Sequence, residues 1–144
     1  MTKRSWSYNY ENASASRGEA ETPMHGNAWV GRDKALRRLI RRGHDVNVLD
    51  DTGESPLHGA ASCGQATVVA LLLCNGADPN IHASDTGFTP LHWASGWGSL
   101  SAVRALVRGG ADVRATDKQG RTAHDVAEQH NRPKIAAWLR RHGA

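Results

Sequence analysis

The sequence predicts an all-α repeat solenoid of four stacked helix–helix–hairpin units, with a short disordered tail ahead of them. Three observations carry that prediction. Thr22-Pro23-Met24-His25 recurs as Ser55-Pro56-Leu57-His58, as Thr89-Pro90-Leu91-His92 and, degraded, as Thr122-Ala123-His124-Asp125, in steps of 33, 34 and 33 residues. Gly43, Gly76, Gly110 and Gly143 keep the same register, and so do Gly31, Gly64, Gly98 and, in the fourth place, Asn131. A fixed period of this length marks a unit that cannot bury its apolar face alone and does so by stacking on its neighbours. Residues 1–21 then form the tail and 22–144 the repeat domain, with units at about 22–50, 51–83, 84–117 and 118–144.

Each unit has a readable local mechanism. Ser or Thr followed by Pro is an N-cap with a first-turn proline, since the hydroxyl serves an orphan amide and Pro needs no partner. A short helix follows and ends near Gly31, Gly64 or Gly98, where glycine permits a left-handed turn. The second helix aligns its apolar positions in columns: Leu36, Val69, Val103 and Ala136, then Leu39, Leu72, Leu106 and Leu139. Pro133 sits where the last of these helices would start. After the closing glycine come His44-Asp45-Val46-Asn47, Ala77-Asp78-Pro79-Asn80 and Ala111-Asp112-Val113-Arg114, polar pieces that read as hairpin loops. The stretch Ile81 to Thr86 holds one residue more than its counterparts, so its tip is expected to protrude or kink.

These motifs resemble the ankyrin-repeat family, over residues 22–144. The resemblance implies L-shaped units in a curved stack, with partners held by the hairpin tips and the concave face of the first helices. It also implies that His25, His58 and His92 hydrogen-bond the backbone of the adjacent hairpin. Gly26-Asn27-Ala28 in the first unit and Ala123-His124-Asp125 in the last depart from the family pattern, as terminal units facing water do. Arg140, Arg141 and His142 suit a capping end and complement the helix dipole there.

The remaining composition excludes several classes of function. No apolar run approaches the roughly 20 residues that cross a bilayer, and Lys3 and Arg4 are followed by no apolar segment of a secretory signal. Cys63 and Cys74 lack the spacing of a disulfide framework or zinc site, which fits a reducing, cytoplasmic setting. The eight histidines show neither HExxH nor HxH spacing, and no phosphate loop or Gly-x-Ser-x-Gly elbow occurs. Asp50 and Asp51 read as solvated turn residues. A non-catalytic chain without cofactor or metal is therefore expected.

Function must then lie in positions that the scaffold leaves free. On the hairpins and first helices these give the candidate set Trp29, Leu49, Asp51, Glu54, Cys63, His82, Asp85, Phe88, Trp93, Trp97, Lys118, Arg121 and His130. Trp93 and Trp97 share one helix face at a spacing of four, and aromatic anchors dominate interface energy. One reading makes them, with Trp29, the centre of a protein-binding face; the other makes them ordinary packing. The net charge of +4 comes mainly from arginine, and Arg37, Arg38, Arg41 and Arg42 form a dense run. That run reads first as a solvated cap face and, as the alternative, as an electrostatic site for nucleic acid or an anionic surface. The acidic Asp50, Asp51 and Glu54 disfavour nucleic acid and favour a protein partner. A monomer or weak homo-oligomer is expected. In the tail, Trp6, Tyr8 and Tyr10 alternate with polar residues, either as a strand-like docking peptide or as a sticky terminus.

Overall fold

The computed structural model describes residues 23–144, which hold eight α-helices and no strand. The tail and its Trp6, Tyr8 and Tyr10 lie outside the described residues. The first helices of the units are α1 (Pro23–Val30), α3 (Pro56–Ser62), α5 (Pro90–Trp97) and α7 (Ala123–Gln129). The second helices are α2 (Asp33–Arg41), α4 (Ala66–Cys74), α6 (Leu100–Arg108) and α8 (Pro133–Arg141). First helices pack on first helices and second on second, giving two layers. Between them runs one continuous core in which Leu36, Val69, Val103, Leu72, Leu106 and Leu139 are fully buried, and Ala136 nearly so. Leu39, in the first unit, is half-buried.

The recurrent histidine ties one unit to the next. His92 lies in the third residue of α5, where Nδ1 accepts the backbone amide of Thr89 (3.1 Å) and its hydroxyl (2.8 Å). Its Nε2–H donates to the carbonyl of Arg121, one hairpin further on, at 2.9 Å. His58 repeats this with Ser55 and the Phe88 carbonyl (3.0 Å), and His25 donates to the Glu54 carbonyl at 2.9 Å. In α7 the column holds Asp125, whose Oδ2 accepts the Thr122 amide at 3.0 Å while Thr122 Oγ1 accepts the Asp125 amide at 3.3 Å. This box is closed within the unit.

A second ladder joins the ends of the second helices. Asn47 donates to the Gly76 carbonyl (3.0 Å) and accepts from the Asp78 amide (2.8 Å); Asn80 does the same with Gly110 (3.1 Å) and Asp112 (2.8 Å). At the third joint Arg114 replaces Asn and reaches the Gly143 carbonyl through Nε at 3.0 Å.

Two expectations need correction. Gly31 and Gly64 are left-handed, and Asn131 takes the same conformation at φ 56°, but Gly98 has φ −91° and ψ −135°. Here α5 runs on to Trp97 and Ser99 caps α6 by accepting the Ala102 amide at 3.1 Å, so no left-handed turn is made. Glycine is required for a different reason: a Cβ on Gly98 would stand 2.3 Å from the Ala61 carbonyl oxygen and 2.8 Å from Ala94 Cα. Gly98→Ala is expected to cost about 1–3 kcal/mol through forced backbone movement, read as a lower urea midpoint with unchanged slope.

Asp50 is the other correction. It is buried, and its Oδ1 accepts from the Thr52 amide (2.9 Å), the Thr52 hydroxyl (2.7 Å) and the Glu54 amide (3.0 Å). It holds its turn together and is not a solvated residue; only Asp51 is exposed. Asp117 does the same for the third hairpin, accepting from the Gln119 (2.8 Å) and Arg121 (2.9 Å) amides. In the second hairpin the position is Ala83. There His82 Nδ1–H donates to the Gly87 carbonyl (3.0 Å) and Thr86 Oγ1 accepts the Phe88 amide (3.0 Å). The extra residue enters the turn itself: Gly87 N–H bonds the carbonyl four residues back, whereas Gly53 and Gly120 bond three back.

Candidate functional site

The third unit gathers five rings on the side of the first helices and hairpins. Phe88 closes the second hairpin and stacks on His92, with centroids 5.2 Å apart. Trp93 meets Phe88 edge-on at 5.1 Å, and Trp97, one turn along α5, lies 4.8 Å from Trp93. His130, at the end of α7, lies 4.2 Å from Trp97 and so carries the cluster into the fourth unit. Small neighbours make this possible. Gly96 is buried, and a Cβ there would come within 2.9 Å of Val126 and 3.3 Å of the His130 ring.

Burial divides the cluster into a platform and a tip. Trp93 is 4% exposed and Phe88 5%, while Trp97 is 37% exposed and His130 is exposed as well. The Trp93 indole reaches back to the previous unit and donates to the carboxylate of the buried Glu54 at 2.6 Å. The equivalent of Trp93 in that unit is Gly59. Trp97 is therefore presented to solvent on a fixed base.

Beside the platform, Arg121 is half-buried and held on three sides. Its guanidinium pairs with Asp117 Oδ2 through Nε and Nη2, both at 2.8 Å, donates to Gln129 Oε1 at 2.8 Å, and lies 5.6 Å from the Phe88 ring centre. The Asp117 carboxyl is buried, which would raise its pKa, but the amides and the Arg121 guanidinium outweigh that and hold it below the ordinary carboxylate value. In the first hairpin the matching pair is Asp50 and Glu54, two carboxylates, and Asp50 Oδ2 is buried with no hydrogen-bond partner among the described residues.

Of the thirteen candidate residues, the structure brings Glu54, Phe88, Trp93, Trp97, Arg121 and His130 into this one cluster. Three of them are not free positions, as the column comparison had them: Glu54, Phe88 and Trp93 are buried in the platform. Lys118 is exposed at the third hairpin, with its ammonium on the Ser84 carbonyl. Asp51, His82 and Asp85 are exposed along the hairpins, and Cys63 is exposed at the end of α3. Leu49 is exposed on the first hairpin, and Trp29 is half-buried on α1. These last residues take no part in the ring cluster. Gln129, one of the first-helix positions that the scaffold leaves free, accepts from Arg121 and helps to position it. Arg37, Arg38, Arg41 and Arg42 are all exposed on or just after α2, with no carboxylate of the described residues in ion-pair range.

Among the described residues no group of three or more His, Cys, Asp or Glu side chains could hold a metal ion, and no helix is long and apolar enough to cross a membrane. A family model described as ankyrin repeats (3 copies) matches residues 7–83 and 80–144. The chain belongs to the ankyrin-repeat family. The first ankyrin match opens at residue 7, so it takes in part of the stretch ahead of Thr22. No curated protein matches the sequence. The histidine bonds to the adjacent hairpin are those that an ankyrin stack implies, and the cluster on α5 is what this ankyrin chain adds to them.

Proposed function

We propose that the chain is a non-catalytic module that holds a protein partner against its first helices and hairpin tips, as an adaptor or as an inhibitor covering a partner's surface. The observation that carries this reading is the exposed Trp97–His130 step on its buried platform. Val30, Leu49 and Trp97 are the large apolar side chains left exposed among the described residues, and each lies on a first helix or a hairpin, none on a second helix. A preordered aromatic tip costs little entropy to bury, which is what an interface anchor requires. Asp51, Asp85 and Lys118 at the tips supply the polar rim.

The test uses a photo-crosslinking amino acid in place of His130 and, as control, in place of the exposed Ala70 on α4. In lysate of the source organism, the first should yield a defined protein adduct and the second none. Trp97→Ala should weaken that partner by about 2 kcal/mol, roughly 30-fold. Adducts from position 70 alone, or an adduct at 130 indifferent to Trp97→Ala, would place the partner elsewhere.

A further inference from the structure

Charge is sorted by layer. The first helices α1, α3, α5 and α7 carry Asp125 and Glu128 and no Lys or Arg. The second helices carry four cations on α2, two on α6 and three on α8 against the single acid Asp33, nine to one. Among the described residues, only Arg140 of these nine has a carboxylate in ion-pair range, Glu128 at 3.3 Å. A face of this kind holds a potential that attracts polyanions.

Within it lies one shaped feature. A cleft of about 400 Å³ opens between α6 and α8, lined by Leu100 and Arg104 from the first and by Lys134, Trp138 and Arg141 from the second. No acid lines it. Trp138 is half-buried, and the His142 imidazole stacks on it with centroids 3.8 Å apart and planes 14° from parallel. His142 is fixed there by a 2.7 Å bond from Nδ1–H to the Trp138 carbonyl. Three cations around a braced indole combine a phosphate site with a stacking surface.

We propose that this cleft binds single-stranded nucleic acid, one base against Trp138 and the adjoining phosphates on Arg104, Lys134 and Arg141. A lone compact anion needs the cations and not the indole. A duplex keeps its base faces covered. An anionic bilayer calls for exposed apolar side chains on the same face, whereas Val30, Leu49 and Trp97 all lie outside the second helices. Single strands use the combination present here, a cationic track with aromatic stacking. The arginines of α2 lie in the same layer beyond the uncharged α4 and add long-range attraction for a strand. This site is independent of the partner surface on the first helices.

The full chain is titrated into a fluorescent single strand of about 16 nucleotides, with anisotropy read between about 50 and 200 mM salt. Three phosphate contacts predict a log–log salt slope with a contribution of about −2, a loss of roughly 20-fold over that range. Arg104→Gln, Lys134→Gln and Arg141→Gln together should remove that contribution. Trp138→Leu should weaken the single strand by about 5-fold to 150-fold and leave binding of inorganic polyphosphate unchanged. Trp138→Phe should fall between, and circular dichroism melts confirm that each variant is folded. No binding at the lowest salt, or a triple variant that binds like the wild type, overturns the proposal. So does a single-strand affinity unmoved by Trp138→Leu, equal affinity for the matching duplex, or capture by phosphatidylserine vesicles without the oligonucleotide.

Discussion

Trp93→Ala is expected to lower the unfolding free energy by about 3–5 kcal/mol, whereas Trp97→Ala, four residues along the same helix, should cost about 1 kcal/mol or less. The difference follows from burial and partners. Trp93 fills space between Phe88 and Trp97 and donates to Glu54. Truncation leaves a cavity, and it also removes the donor of a short bond to the buried Glu54 side chain. Trp97 already faces water on one side. Domains of this size hold about 5–15 kcal/mol in total, so the first variant should have lost a large part of its margin. Urea unfolding followed by circular dichroism separates the two; equal midpoints would mean that the platform is not load-sharing as described. A practical point follows for the partner surface. A double variant of both tryptophans confounds unfolding with lost recognition, and Trp97→Ala alone is the informative change.

His92→Leu is expected to cost about 2–4 kcal/mol despite its similar volume: the buried Thr89 amide is left without an acceptor, worth about 1–3 kcal/mol, while the Arg121 carbonyl keeps the Asp117 amide and loses one of its two bonds, worth about 0.5–1.5 kcal/mol. The same residue sets part of the pH dependence. Burial lowers the pKa of His92 and of His25 below the ordinary 6.5, against smaller opposing effects of the backbone carbonyls and nearby carboxylates. Nδ1 of His92 accepts from a backbone amide, so the protonated ring has no place for its second proton. The unfolded chain therefore binds more protons than the folded one just below pH 6.5, and stability is fully present above that value. It falls as pH drops from 6.5 through the lowered folded-state values. Asp117 acts in the same direction further down, its contribution present above its ordinary 3.8 and lost as pH falls through its lowered value. Denaturant midpoints measured from neutral to mildly acid pH should decline for the wild type and decline less for His92→Leu. Parallel curves would show that His92 does not carry the acid sensitivity.

Much of the fold was legible because a repeat reports each structural demand several times. Four aligned glycines and two apolar columns, one of them all leucine, are enough to locate the helices and their buried faces. The site was harder to read. A column holding Glu54, Phe88 and Arg121 has no common residue type, and such a column reads as exposed. The structure shows that this position packs beside the first helices, where each unit fills it differently: a carboxyl group for an indole, a ring, and a guanidinium clamped by Asp117. Trp93 reads from the sequence either as a binding centre or as ordinary packing, and what buries it is out of local view, since its indole bonds a residue 39 positions earlier. Gly98 misled in the opposite sense: it keeps the column's residue type without the column's backbone conformation, because the Ala61 carbonyl and not φ demands it.

The second hairpin has absorbed an additional residue without disturbing the stack. The amides of Ser84 and Asp85 both still reach the Thr52 carbonyl behind, and Thr86 still accepts the Lys118 amide ahead. The carboxylate that pins the other two turns is gone, and in its place stand bonds from His82 and Thr86 that depend less on a fixed turn length. The turn at this tip thus differs in length from its sister hairpins while the bonds to the hairpins on either side are kept. An inserted peptide or label is best placed between Ser84 and Thr86, where the architecture has already accommodated one lengthening.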